Sequence, residues 1–235
     1  MLIELKKELQ NLRDENQAKI LGKYFKTGKG EYGEGDIFLG LKVPMIRKIA
    51  KNHNDLRFEE LQQLLSSKVH EERMIALMIL TNQFNKAKKD KLKQRQIFEF
   101  YLKNTSNINN WDLVDLSAPK IVGEFLQREN NGILPELAKS TDIWERRIAI
   151  LSTFPFIKRR SFGETLSISD ILINDTHDLI HKAVGWSLRE IGKKNQDVLE
   201  LFLKTRYKTM PRTMLRYSIE KFPQDLRKKY LKGEI

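Results

Sequence analysis

Glu72-Arg73-Met74-Ile75-Ala76-Leu77 and Glu145-Arg146-Arg147-Ile148-Ala149-Ile150 are two versions of one segment, 73 residues apart. Lys182-Ala183 can be set against Ile148-Ala149, 34 residues further on, and Trp186-Ser187-Leu188 against Tyr217-Ser218-Ile219, another 31 along. An offset of 73 is about two units of 36 residues, and the other two are close to one unit. Ala76, Ala149 and Ala183 keep equivalent places in these segments. A small side chain at a fixed place lets two helices approach closely.

The surrounding chain has the same character. Apolar residues recur at helical spacing over 2–22, 43–51, 56–66, 68–84, 90–103, 111–127, 133–139, 142–157, 175–194, 196–205 and 211–221. Alternating β-type runs are scarce. The expected fold is all-α, a superhelix of stacked helix pairs of the HEAT or armadillo kind. Each pair in such an array buries one face against its neighbours and leaves a concave surface. An ordinary α-bundle with chance similarity is the competing reading. Residues 1–235 are expected to form a single HEAT-like-repeat domain. One stretch breaks the helical pattern: Thr27-Gly28-Lys29-Gly30-Glu31-Tyr32-Gly33-Glu34-Gly35-Asp36 reads as a mobile loop or short hairpin. It lacks the spacing of a nucleotide-phosphate loop, and its three acids would repel phosphates.

Lys plus Arg total 43 against 31 Asp plus Glu, a formal net charge of +12. That excess favours a polyanionic partner such as nucleic acid, or an anionic membrane surface. The absence of cysteine excludes disulfides, zinc–cysteine sites and thiol catalysis. Met1 to Glu8 is charged from its fourth residue, so a secretory signal is not expected. No apolar run is long enough to span a membrane. A soluble, cytoplasmic protein is the simplest expectation.

Asn110-Trp111-Asp112-Leu113-Val114-Asp115 places an indole and a carboxylate four residues apart, on one helical face. Read from residue types alone, Trp111 is as well a core tryptophan and Asp115 as well a cap or lysine partner. Arg146 and Arg147 are adjacent and point about 100° apart on a helix, so one can pair outward while the other meets a groove. Trp186 and Arg189, three apart, put an indole beside a guanidinium. That is a vocabulary suited to a base or sugar and a phosphate, although a surface ion pair is an arginine's commoner fate. Lys23, Lys26 and Lys29 flank the glycine stretch and could touch a phosphate backbone. His177 and His181 have a metal-compatible spacing but no third ligand, so a surface or packing role is expected. His53 and His70 stand isolated in the sequence, and no Ser-His-Asp pattern is present.

At these residues the chain resembles the DNA alkylation repair proteins of the AlkD type, the HEAT-like-repeat DNA glycosylases. The likeness runs from Tyr24 to the final helices. It rests on Trp111-Asp112-Leu113-Val114-Asp115, on Ile143-Trp144-Glu145-Arg146-Arg147-Ile148-Ala149, and on Lys182-Ala183-Val184-Gly185-Trp186-Ser187-Leu188-Arg189-Glu190. The resemblance implies a concave face that holds duplex DNA and excision of positively charged N3- or N7-alkylated purines. It implies Asp115 as the catalytic carboxylate, with Arg147 and Trp111 as its companions. Trp186, Arg189, Tyr24 and Lys26 become the DNA-binding candidates. A monomer acting on alkylated duplex DNA, with no metal, cofactor or membrane, is the expected arrangement. The chain departs from the pattern at Gly28–Asp36, which is longer and acidic. A non-catalytic DNA-binding protein for branched or distorted duplexes is therefore the second reading, and a scaffold for acidic protein partners the third.

Overall fold

The computed structural model describes residues 1–129 and 132–235. They form an all-α protein: among the described residues there is no β-strand, and Ile37 and Val69 make an isolated parallel bridge. By packing, the chain divides into two compact units, Met1–Ser117 and Ala118–Ile235.

The first unit comprises α1 (Leu2–Asn11), α2 (Glu15–Tyr24), α3 (Val43–Asn52), α4 (Phe58–Leu65), α5 (His70–Lys86), α6 (Lys91–Lys103) and α7 (Trp111–Ser117). Its centre is α5, which packs against α3, α4, α6 and α7. Every residue of α5 from His70 to Thr81 is buried. Three of these are Glu71, Glu72 and Arg73, and each charge meets a partner. The Glu71 carboxylate accepts backbone N–H bonds from Leu39 (3.0 Å), Gly40 (2.9 Å) and Leu41 (3.2 Å). Glu72 pairs with Lys6 at 2.8 Å, and Arg73 with Asp36 at 2.6 Å. Gly40 is required where it stands. Its φ is +90°, and a Cβ there would lie 2.1 Å from the Asp14 carbonyl oxygen.

The second unit opens with a π-helical turn, Pro119–Gly123, followed by α8 (Glu124–Leu126), α9 (Ile133–Ala138), α10 (Ile143–Leu151), α11 (Phe154–Lys158), α12 (Gly163–Ile171), α13 (Asp178–Lys194), α14 (Gln196–Lys204), α15 (Arg212–Ser218) and α16 (Gln224–Lys232). Helix α13 is central here, packing on α10, α11, α12, α14 and α15. It meets α15 at Gly185, where a Cβ would stand 2.5 Å from the Tyr217 Cβ. Only glycine allows that approach.

Several expected helices are cut. The 2–22 segment breaks at Leu12–Asp14, because Asp14 caps α2 by accepting from the Gln17 N–H. The 142–157 segment divides at Ser152–Thr153, just before Pro155, whose ring removes a backbone donor. The 111–127 segment is interrupted by the π-turn at Pro119, with Gly123 N–H donating five residues back to the Ala118 carbonyl. Helices α12 and α16 were not anticipated. The 27–36 stretch is no hairpin. It is a run of turns in which the Glu31 and Glu34 carboxylates accept from the Gly28 and Gly30 N–H groups, at 2.8 and 2.7 Å. Those two acids are engaged by the loop's own backbone.

The sequence repeat has a hydrogen-bonded basis. Three residues before α5, Ser67 accepts the Val69 N–H through its Oγ (3.0 Å), and its carbonyl accepts from Arg73 (2.8 Å). Ser140 does the same before α10, with the Asp142 N–H (3.0 Å) and Arg146 (3.0 Å). Asp175 does so before α13, with the His177 N–H (2.8 Å) and His181 Nε2. Each staple fastens the fourth residue of a helix to the loop that feeds it. Ala76, Ala149 and Ala183 are fully buried within the same helices. Helix α7 starts differently. Ile108 and Val114 occupy the two staple positions, and neither side chain can make the bonds.

Candidate functional site

In the first unit the expected residues gather around the start of α7. Trp111 is its first residue and half-buried, and Asp115, one turn on, is half-buried as well. The indole stacks on Phe25 (centroids 5.2 Å apart, planes at 16°) and meets Tyr24 edge-on at 6.0 Å. Tyr24, at the end of α2, is 63% exposed. Tyr32, from the glycine-rich loop, hydrogen-bonds to Trp111; burial raises the Tyr32 pKa and that bond partly offsets the rise. Lys26 is exposed, has a left-handed φ of 53°, and holds its ammonium 5.9 Å from the Tyr32 ring centroid. The loop thus lays an aromatic ring beside the indole, with a lysine next to it.

Behind this surface lies a buried charge network that spacing alone did not reveal. His70, isolated in the sequence, is 1% exposed. Its Nε2 is 2.8 Å from an Asp112 oxygen and its Nδ1 3.4 Å from Asp36. Its ring stacks on Phe38 at 4.6 Å and lies 5.1 Å from Phe25. Asp36 was expected to repel phosphates; instead its side chain is 5% exposed and bonded to His70 and Arg73. These contacts span 34 and 42 residues of chain. The only sequence hint was that Asp112 lies inside an apolar run.

Two pKa shifts follow from the network. Burial opposes the charge on His70, but its bonds to Asp112 and Asp36 outweigh burial and raise its pKa above 6.5. Burial likewise opposes the charge on Asp36, but His70 and Arg73 outweigh it and lower the pKa below 3.8. A raised histidine pKa contributes stability that is complete below the unfolded value and is lost as pH rises through the folded value. A lowered aspartate pKa contributes stability present above the unfolded value and lost as pH falls through the folded one. Urea midpoints should therefore decline as pH climbs beyond neutrality, and His70→Gln, with no proton to lose there, should remove that decline. Equal alkaline slopes for the two proteins would refute the linkage.

The second unit holds the remaining candidates. Arg147 is 5% exposed and donates to the Leu179 carbonyl at 2.7 Å. Its neighbour Arg146 grips Asp175 at 2.7 Å. Trp144 is a core residue, 6% exposed. Trp186 is half-buried, edge-on to Phe154 at 4.7 Å, and its Nε1 donates to Glu190 at 3.2 Å. Arg189 is paired with Glu220 and lies 3.8 Å from Glu190. His177 caps α13 by accepting the Leu179 N–H, and His181 closes a staple, so both histidines serve packing. Among the described residues no three His, Asp or Glu side chains form a metal-binding group, and no helix is long and apolar enough to cross a membrane.

Comparison with known proteins supplies the kinship. No curated protein matches the chain significantly. A solved structure described as a predicted DNA alkylation repair enzyme from Enterococcus faecalis superposes with a TM-score of 0.67 at 16% identity, covering 90% of this chain and 97% of that one. AlkD2 from Streptococcus mutans superposes at 0.56 with 21% identity, over 95% and 97% of the two chains. At such identities the likeness establishes the fold. The sequence profile of the family described as DNA alkylation repair enzyme matches residues 5–222, and the chain belongs to that family.

Proposed function

We propose that the protein is a DNA glycosylase that removes positively charged N3- or N7-alkylated purines from duplex DNA. The observation that carries this reading is the pairing of Trp111 and Asp115 one turn apart on α7, both half-buried, beside the exposed ring of Tyr24. A purine alkylated at N3 or N7 is already cationic, so its glycosidic bond is weakened before the protein acts. The chemistry then requires stabilising an oxocarbenium-like sugar and directing a water at its C1′. One carboxylate near the sugar performs both tasks. Aromatic faces at Trp111, Tyr24 and Tyr32 attract the cationic base through their quadrupoles. Lys26, Trp186 and Arg189 are assigned to the DNA itself. Arg147, held on the Leu179 carbonyl, belongs to the same assignment as a companion of the chemistry. Residues 1–235 act in this reading as one repeat domain, as a monomer and without a metal.

One observation favours the non-catalytic alternative: the Trp111 side chain is already hydrogen-bonded to Tyr32. The two readings separate in a single experiment. Purified protein incubated with methylated duplex DNA is expected to release 7-methylguanine or 3-methyladenine, and its affinity for unmodified duplex to fall steeply with added salt. Tight binding without base release would leave a DNA-binding module. No binding at low salt would leave the scaffold.

A further inference from the structure

We infer that His70 is a positioning residue for the α7 site: its imidazole ties Asp112 to the buried Asp36–Arg73 pair and so sets the direction in which Trp111 and Asp115 leave the helix. This inference deepens the glycosylase reading and rests on it for its kinetic consequence.

Four ionisable side chains meet here with almost no water: Asp36 from the loop, His70 and Arg73 from α5, and Asp112 from α7. Phe25 and Phe38 enclose the ring and bring no charge. Each imidazole nitrogen faces a carboxylate, and both can donate only when the ring is protonated. Two cations and two anions then balance. Such a cluster is a poor way to gain stability, because a well-packed apolar core would serve as well or better. What it adds is direction. Asp112 is the second residue of α7, flanked by Trp111, and one turn from Asp115 lies Trp111 itself.

The architecture gives His70 a task that a local staple performs elsewhere. The helices α5, α10 and α13 are each fastened to their own feeding loops by the staple at Ser67, Ser140 and Asp175. In α7 the equivalent positions are Ile108 and Val114. The Asn110 side chain accepts the Trp111 N–H locally, Tyr32 hydrogen-bonds to the indole and Tyr101 to Ser117 at the far end of the helix; the bond that ties the Asp112 carboxylate to α5 is His70 Nε2 to Asp112, at 2.8 Å. A displacement of the indole and carboxylate by about 1 Å is enough to lower a rate roughly 100-fold.

Two near-isosteric variants test the geometry. A glutamine amide reaches about where Nε2 lies and can keep the bond to Asp112; an asparagine amide reaches about where Nδ1 lies and faces Asp36. Single-turnover release of 7-methylguanine at saturating protein is expected to drop on the order of 10- to 100-fold in His70→Asn, with affinity for unmodified duplex unchanged. His70→Gln is expected to restore most of the rate. The position of Trp111 is read separately from its indole N–H resonance. That resonance should move in His70→Asn and return towards the wild-type position in His70→Gln. If the wild type releases no base, the glycosylase reading fails, while the positioning claim is still judged on the resonance. Should His70→Asn fail to fold, Asp112→Asn takes its place, with the same loss of rate and shift of resonance expected. A folded His70→Asn, or failing that a folded Asp112→Asn, with wild-type rate and an unmoved indole signal overturns the inference.

Discussion

Asp115→Asn is expected to lower release of alkylpurines from methylated DNA by about 100- to 10,000-fold, the range for removing a general acid–base or electrostatic group from a site. The substitution keeps the shape of the side chain and removes its charge. The sugar then develops positive character with nothing opposite to stabilise it, and the water loses its acceptor. Affinity for duplex DNA should persist or increase, because the carboxylate repels phosphates in the ground state. Asp115 is half-buried, so its replacement by an isostere should leave the fold intact. The decisive comparison sets base release against duplex affinity, measured on the same folded variant. A variant that excises as fast as the wild type would remove Asp115 from the chemistry and, with it, the assignment made for α7.

The second large effect concerns stability. Glu71→Ala leaves the Leu39, Gly40 and Leu41 N–H groups without their shared acceptor in a region closed to water. Each buried donor left unpaired costs roughly 1–3 kcal/mol, or about 3–9 kcal/mol for three if nothing relaxes. A domain of this kind is stable by only about 5–15 kcal/mol in total. Glu71→Ala should therefore unfold at far lower urea than the wild type, or fail to accumulate folded. Glu71→Gln keeps one acceptor oxygen and should fall between. Urea titrations followed by circular dichroism measure this, and a Glu71→Ala loss below about 1 kcal/mol would show that water or backbone movement replaces the carboxylate.

What could be read from the sequence was local or periodic. The buried alanines at 76, 149 and 183 were legible because close helix packing demands a small side chain at a fixed register. That Trp111 and Asp115 share one helix was legible because residues four apart fall on one face. The helix breaks at Leu12–Asp14 and Ser152–Thr153 were hidden because apolar spacing continues across them while an aspartate cap and a proline end the hydrogen bonding. Helix α16 was masked by its charge: Asp225, Arg227, Lys228, Lys229 and Lys232 leave little apolar periodicity, and Tyr230 is its only buried residue. The network of Asp36, His70, Arg73 and Asp112 had no signature in spacing. Its members come from a loop and two helices, and only folding makes them neighbours. Glu31 and Glu34 were legible as loop acids but not in what they bond. As letters they make the loop acidic, yet both carboxylates are taken up by adjacent N–H groups.

The stapled helix starts also say something about the order in which this chain can form as it is synthesised. The starts of α5, α10 and α13 can each close within the seven residues that make the staple, since every partner is local. The start of α7 has to wait for a distant side chain, but that side chain lies upstream. Asp36, then His70 and Arg73, leave the ribosome before Asp112 does, so the anchor already exists when its ligand emerges. A circular permutant that placed residues 108–117 ahead of α5 would reverse that order, and the turn bearing Trp111 and Asp115 would emerge before His70 exists to meet Asp112.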